Sequence, residues 1–321
     1  MNNEIMVSVS CLVYNHEKYL RKCLDGFVMQ KTNFKFEVLV HDDASTDGSA
    51  NIIREYEAKY PDIIKPIYQT ENQHSKRLHG GITGNFQMPR AKGKYYAECE
   101  GDDYWCDEYK LQKQFDALEN NPDCKLCVHR VAIFDSNTNE DMGCCPQEEQ
   151  KTGVIDSNVF TNQILERYSY QTSSYFCDKQ MYIEKNDEEF VMLSPTGDEA
   201  VVMYFGCKAN VYYINDIMSK YRKFSEGSWS SSYRNNNQQR INIQKRRVES
   251  LKAFNDFSDY KYNKTCKRVI RRNEYEIAAL SNDYRGMIKY PEFLKKDNKK
   301  TIFLAIIGSL FPKTTRKIRG E

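Results

Sequence analysis

Residues Tyr95–Trp105 read Tyr-Tyr-Ala-Glu-Cys-Glu-Gly-Asp-Asp-Tyr-Trp, which sets three acids, Glu100, Asp102 and Asp103, within four positions. Carboxylates that close repel one another, so a fold that gathers them at a strand end supplies a cation to neutralise them. Oxygen ligands of this kind suit the hard ions Mg2+ and Mn2+, which keep coordination positions open for phosphate oxygens. Gly-Asp-Asp is equally ordinary turn chemistry. The chemical reading therefore rests on what else the fold brings to the cluster.

The preceding elements decide that. Val7–Val13, Phe36–Val40, Ile63–Tyr68 and Lys94–Cys99 are apolar runs of strand length. Between them Tyr19, Leu20, Cys23, Leu24, Phe27 and Val28, and then Ile52, Ile53 and Tyr56, recur at helical spacing. Asn85–Ala91 reads as a short helix, and Leu111, Phe115 and Leu118 mark a longer one after the acids. Strand alternating with helix predicts a mostly parallel sheet with right-handed crossovers. Such sheets bind ligands beyond the carboxyl ends of their strands, which puts Tyr14, Asp43 and Asp102–Asp103 on one rim.

Further along, 124–134 reads as a strand, 135–156 as a loop and Ser157–Tyr168 as a helix capped by Asp156 or Ser157. Ser194–Glu199 is a turn opening an apolar helix, Ala200–Phe205, with Asp198 and Glu199 at its positive end. Val211–Ile214 is the last strand, and Tyr221–Ser230, with Arg222, Gly227 and Trp229, reads as a loop. Asp42, Ser45 and Asp47 are expected to cap and brace their turn. His16, His41, His74 and His79 receive no role. Trp105 and Trp229 are expected either to line an acceptor groove or to pack internally.

The formal net charge of +2 over 321 residues hides an asymmetry. Residues 241–321 hold 20 Lys+Arg against 9 Asp+Glu, and the remainder holds 27 against 36. An acidic body with a basic tail points the tail toward something anionic. From Asn235 onward two basic helices are expected, with Ile241, Val248, Leu251, Phe254 and Phe257 along one stripe and Val269, Ile277 and Leu280 along the next. Thr301–Leu310 is apolar between basic flanks and too short to span a bilayer. Met1–Met6 does not read as a signal peptide, and with eleven cysteines a reducing, cytoplasmic setting is expected. Cys124 and Cys127 are read as structural thiols rather than zinc ligands.

Four segments carry a resemblance: Val-Ser-Val-Ser-Cys-Leu-Val-Tyr-Asn-His (7–16), Asp-Asp-Ala-Ser-Thr-Asp-Gly-Ser (42–49), Glu-Gly-Asp-Asp-Tyr-Trp (100–105) and Thr-Gly-Asp-Glu (196–199). In this order and spacing the chain resembles the family 2 glycosyltransferases of the GT-A fold, over residues 6–232. The resemblance implies an α/β fold, a GT-A-type mostly parallel twisted sheet flanked by helices. It also implies a nucleotide-sugar donor, foremost a UDP-sugar, a divalent metal (Mn2+ or Mg2+) and inversion at the anomeric carbon. By the same resemblance Tyr14 stacks on the donor base and Asp43 accepts from the base's imide nitrogen. Asp102 lies near the ribose, Asp103 binds the metal, and Asp198 is the general base. Glu100 stands where many members carry an Asp and is a second candidate metal ligand. Phe224 stands where the family often has histidine, so Arg222 or Lys223 is the candidate for the diphosphate.

These expectations divide the chain into a glycosyltransferase domain, residues 1–234, and a basic helical C-terminal region, residues 235–321. Within the latter, 299–318 is a possible membrane-surface segment at the inner face of the membrane. The acceptor is expected to be a saccharide or a lipid-linked one, in surface polysaccharide or glycolipid assembly, with no nucleic-acid partner. The Gln-x-x-Arg-Trp signature of processive synthases is absent, which favours addition of single sugars. The competing reading is a non-catalytic nucleotide- or sugar-binding module recruited to a membrane by its tail. A third, another nucleotide-recognising enzyme, lacks the Gly-x-x-x-x-Gly-Lys-Ser/Thr loop of an ATPase.

Overall fold

The computed structural model describes residues 4–76, 78, 80–167, 170–225, 236–297 and 299–310. The chain divides into two compact units, one of residues 1–188 and 198–231, the other of residues 189–197 and 232–321.

The first unit is a ten-stranded sheet with helices. β1 (Ile5–Val13), β2 (Lys35–Asp42), β3 (Ile64–Tyr68) and β4 (Tyr95–Glu98) run parallel in the order β3-β2-β1-β4. α1 (Glu17–Val28) and α2 (Ser49–Lys59) lie in the connections between them. Beyond β4 the order continues through β9 (Phe176–Asp178), β6 (Cys124–Asp135), β10 (Asn210–Lys223) and β5 (Tyr104–Trp105). β9 runs antiparallel to both neighbours, while β6 and β10 are parallel.

Alternation of side chains across a strand sorts the sheet into two unlike faces. Val7, Val9, Cys11 and Val13 of β1, Val38 and Val40 of β2, and Tyr95, Ala97 and Cys99 enter one apolar core. That core takes in Leu20, Cys23, Leu24 and Phe27 of α1, Ile52 and Ile53 of α2, and Leu111, Ala117 and Leu118 of α3 (Lys110–Glu119). The residues between them include buried polar ones, Ser8, Ser10, Glu37 and His41, beside Leu39 and Tyr96. Ser8, Ser10 and Glu37 are bonded across β1 and β2 and to the segment before β4. Ser8 donates to Glu37 (2.7 Å), Gly93 N–H donates to Ser8 Oγ (2.9 Å), and Gln87 donates to Ser10 Oγ and to the Leu39 carbonyl. The expected short helix at 85–91 is a π-helical turn, Thr83–Gln87, running into a 3-10 turn, Met88–Arg90.

Two loops of the sequence reading prove to be strand. Residues 135–156 contain β7 (Asp141–Cys145) and β8 (Gly153–Ile155), which pair with β6 and β10. Both are short, and β7 begins with three exposed residues, so neither leaves an apolar period to read. β10 runs past Ile214 to Lys223 because it pairs with β6 through Arg222 and Lys223, a contact between distant segments. Residues 226–230 of that loop, including Trp229, lie outside the described residues, as does His79. α4 (Ser157–Arg167) is capped by Asp156, whose carboxylate accepts from Asn158 and Val159 N–H. α5 (Lys179–Glu184) follows β9.

The second unit is helical. α6 (Glu189–Leu193) packs on α8 (Asn237–Phe257), with the Phe190 ring 5.1 Å from Phe254 and 4.9 Å from Phe257. Ile241, Val248, Leu251 and Phe254 form the buried stripe on α8, and Val269 is buried on α9 (Asn263–Leu280). Tyr275, Ala278, Met287, Leu294 and Ala305 make a separate small core that gathers α10 (Tyr284–Met287), α11 (Pro291–Leu294) and α12 (Lys299–Leu310). No described helix is long and apolar enough to cross a membrane.

Candidate active site

Three loops at the carboxyl ends of β1, β2 and β4 are bound to one another. After β1, Asn15 takes a positive φ of 57°, a conformation asparagine tolerates, and the loop turns into α1. Its backbone is stitched to the loop after β2: Asn15 N–H donates to Ser45 Oγ, His16 N–H to Ser49 Oγ and Glu17 N–H to Asp47. In return Thr46 N–H donates to Asn15 Oδ1 and Gly48 N–H to Glu17. Ser45 and Asp47 thus brace the turn, as their types predict. Tyr14, at the junction, is 45% exposed, so its ring is presented to solvent at the rim.

Asp43 is buried, and its two oxygens accept from Gln73 N–H (2.6 Å) and His74 N–H (3.0 Å). His41, fully buried on β2, places Nε2 3.7 Å from Asp43 Oδ1. Burial holds its imidazole below the ordinary value, with Asp43 opposing the shift. Asp43 therefore sits as an organised acceptor between the β2 end and the 72–76 loop.

The acidic turn closes against β1. Cys99 and Gly101 N–H donate to the carbonyls of Ser10 and Leu12, which extends the β1–β4 ladder into the turn. A methyl on Gly101 would lie 2.7 Å from His16 Nδ1 and 3.0 Å from a Val13 methyl, so only glycine lets the two loops approach this closely. Asp102 and Asp103 are buried and tied to the end of β10: Ser225 Oγ donates to Asp102 Oδ2 (2.8 Å) and Arg222 N–H donates to Asp103 Oδ1 (2.9 Å). The Arg222 guanidinium donates to the Asp102 carbonyl and lies over the rings of Tyr104 (4.7 Å), Tyr19 (5.1 Å) and Phe134 (5.6 Å). Trp105 is buried, packed edge-on against Phe27 at 4.8 Å, and its indole N–H donates to the Ser173 carbonyl. It braces the turn from below and lines no groove.

Negative charge is concentrated here. Burial first, and the Asp102 charge second, hold the Asp103 carboxyl well above its ordinary range. Glu100 is raised above the ordinary carboxylate value, first by the protein crowded around the turn and then by Asp102, Asp198 and Glu98. Its side chain is open to solvent, so water screens part of that effect. Asp198, in the first turn of α7 (Gly197–Lys208), accepts from Glu199 N–H (2.8 Å) and bears electrostatically on both Glu98 and Glu100. The fold thus brings Asp198 to the acidic turn from almost a hundred residues away in sequence. Among the described residues no three His, Cys, Asp or Glu side chains are arranged to hold a metal by themselves. The donor set fits a hard cation that draws its remaining ligands from water or phosphate oxygens.

His16, Ser225 and Glu98 lie at the site without a role that the sequence assigned: His16 closes the first motif, Glu98 precedes the acidic turn and Ser225 stands in no motif. Burial lowers the His16 imidazole while Asp102 and Asp47 raise it, which places this ring beside the turn. The contacts of His16 and Ser225 with Asp102 join distant segments, so no local spacing announces them.

Residues 8–185 match the profile of glycosyl transferase family 2. The chain belongs to that family. A relative, uncharacterized protein Rv1520 of Mycobacterium tuberculosis (strain ATCC 25618 / H37Rv), is 32% identical over 229 residues, 71% of this chain and 61% of the relative's length. The chain thus spans about three fifths of that protein. Among solved structures, S. aureus TarS 1-349 in complex with UDP-GlcNAc superposes with a TM-score of 0.60 at 17% identity, covering 94% of this chain and 79% of that one. The mannosyltransferase PcManGT of Pyrobaculum calidifontis, in complex with GDP-Man and Mn2+, gives 0.56 at 14% identity, covering 97% and 89%. At these identities the likeness establishes the fold, the GT-A-type architecture expected for the family.

Proposed function

We propose that this protein is a metal-dependent, inverting glycosyltransferase that moves one sugar from a UDP-sugar to an acceptor hydroxyl. The observation that carries the reading is the acidic turn Glu100–Asp103, bonded at once to the β1 end and to the β10 end, with the Asp198 charge close by. Family membership and the nucleotide-sugar complexes of the two similar structures support it.

In this reading Tyr14 offers a ring face to the base, and Asp43 accepts from its imide N–H. Asp102 faces the ribose. Asp103, with Glu100, would hold Mn2+ or Mg2+, and such an ion neutralises charge developing on a departing diphosphate. Arg222 and Ser225 hold the turn in place from beneath. Asp198 takes the proton from the attacking hydroxyl, a role that needs a carboxylate within hydrogen-bond reach of the acceptor. Attack from that side, opposite the leaving group and with no carboxylate nucleophile, inverts the anomeric carbon.

Titration calorimetry tests this. UDP binding should tighten at least about tenfold with Mn2+ present, and the Asp103→Asn change should abolish that gain. UDP binding indifferent to both would refute the proposal.

We further propose that the C-terminal region meets an anionic membrane surface, where a lipid-linked acceptor of surface polysaccharide or glycolipid assembly would lie. On α12, Phe303 is 58% and Ile306 49% exposed, and Lys295, Lys296 and Lys299 precede them. Apolar side chains beside lysines suit the headgroup region. Phe303→Ser with Ile306→Ser should lower co-sedimentation with phosphatidylserine vesicles and leave UDP binding intact; equal sedimentation removes the proposal.

A further inference from the structure

One face of β4 carries Tyr96 and Glu98 and leads straight to Glu100, while the alternate residues Tyr95, Ala97 and Cys99 lie in the apolar core. Glu98 takes no part in the acidic turn, yet it is a half-buried carboxylate with a built surround. The Tyr182 hydroxyl donates to Glu98 Oε1 (2.7 Å), and the Tyr96 ring packs 4.8 Å from that of Tyr182. Lys185 is buried, with its ammonium 3.9 Å over the Tyr182 ring, donating to Asn186 Oδ1 (2.9 Å) and attracting Glu98 electrostatically. A carboxylate, an ammonium, an amide and a phenol are thus assembled in one wall. Burying such a pair contributes little to stability compared with apolar packing of the same volume. Its placement calls for another account.

The placement supplies it. Glu98 ends β4 two residues before Glu100, and the Asp198 charge reaches both carboxylates. On the function proposed above, the diphosphate lies at the turn and the attacking hydroxyl at Asp198. The transferred ring must then span the space between them, which is the space Glu98 borders.

We infer that Glu98, with Lys185 and Asn186, reads the ring hydroxyls of the donor's pyranose and so sets which sugar is transferred. The carboxylate accepts from vicinal hydroxyls, while the ammonium and amide donate to hydroxyl oxygens. An epimer that turns one hydroxyl away forfeits a hydrogen bond to a group partly withdrawn from water, a strong ground for rejecting a close analogue. This inference rests on the proposed function, and its test separates the two.

UDP and a set of UDP-hexoses differing at single hydroxyls are titrated, with Mn2+, into the full chain and its Glu98→Gln and Lys185→Gln variants. Expected is UDP affinity within about twofold of the parent, with the parent's preference among epimers reduced about tenfold or more. Epimer ratios unchanged in both variants overturn the inference. So does a variant whose UDP affinity falls in proportion to its UDP-hexose affinity, or one that does not fold, since the cluster is then structural. If the parent itself binds no UDP, the proposed function fails first and takes this inference with it.

Discussion

Arg222 separates two accounts of the end of β10. Its guanidinium is buried, donates to the Asp102 carbonyl and is surrounded by three aromatic rings, so it braces the turn before any donor arrives. Arg222→Met keeps most of the stem and removes the charge. A hydrogen bond from a charged group contributes about 1.5–3 kcal/mol net, and a desolvated cation over aromatic faces about 2 kcal/mol. Against these stands the recovered cost of burying the cation, so the variant should lose about 3 kcal/mol of unfolding free energy. Urea unfolding without ligand, read by tryptophan fluorescence, measures it as a lower midpoint at unchanged slope. UDP binding with Mn2+ should weaken alongside, because the freed Asp102 carbonyl loosens the turn. Lysine should not rescue, since an ammonium cannot spread over the same rings and carbonyl. A variant with an unchanged midpoint that nevertheless loses UDP would refute this reasoning, and the guanidinium would then contact the donor itself.

Asp198→Asn should lower kcat by about 10²–10⁴-fold while UDP affinity stays at the parent's value, measured by UDP release and calorimetry; undiminished turnover excludes Asp198 as the base. Lys110 is fully buried, donates to Gln114 and lies 4.0 Å from the Trp105 ring centre, and burial lowers its ammonium to about 7. Unfolded, it titrates near about 10.4, so between these values the unfolded chain holds a proton the native one has released. Stability should therefore rise with pH across that window, and Lys110→Met should flatten the rise. Denaturation midpoints taken from pH 7 to 10 in both proteins give the difference, which isolates Lys110 from the cysteines and tyrosines titrating nearby. Parallel curves would show that Lys110 stays charged in the fold.

Much of this was legible beforehand. Apolar runs and helical spacing located β1, α1, β2, α2 and α3, because those elements bury one face against a common core and the period survives in the residue types. The rim rule brought Tyr14, Asp43 and the acidic turn to adjacent strand ends for the same reason: parallel strands joined by right-handed crossovers end on one side. The polar face of the sheet was hidden. Ser8 and Ser10 interrupt β1 and read as tolerable lapses in an apolar run, yet they are the buried partners of Glu37, Gly93 and Gln87. β7 and β8 lay beyond reach because short strands with exposed residues carry no period.

The residues alone determined the family, the alternation of strand and helix, and which carboxylates are crowded, since each is a matter of local order along the chain. Only the tertiary structure decided that Arg222, near the end of β10, bonds the acidic turn, that Ser225 and His16 attend Asp102, and that Lys185 and Asp198 both bear on Glu98. The reason is physical. A buried polar group must find its partner wherever the sheet brings one, and strand pairing between distant segments leaves no trace in the spacing of either.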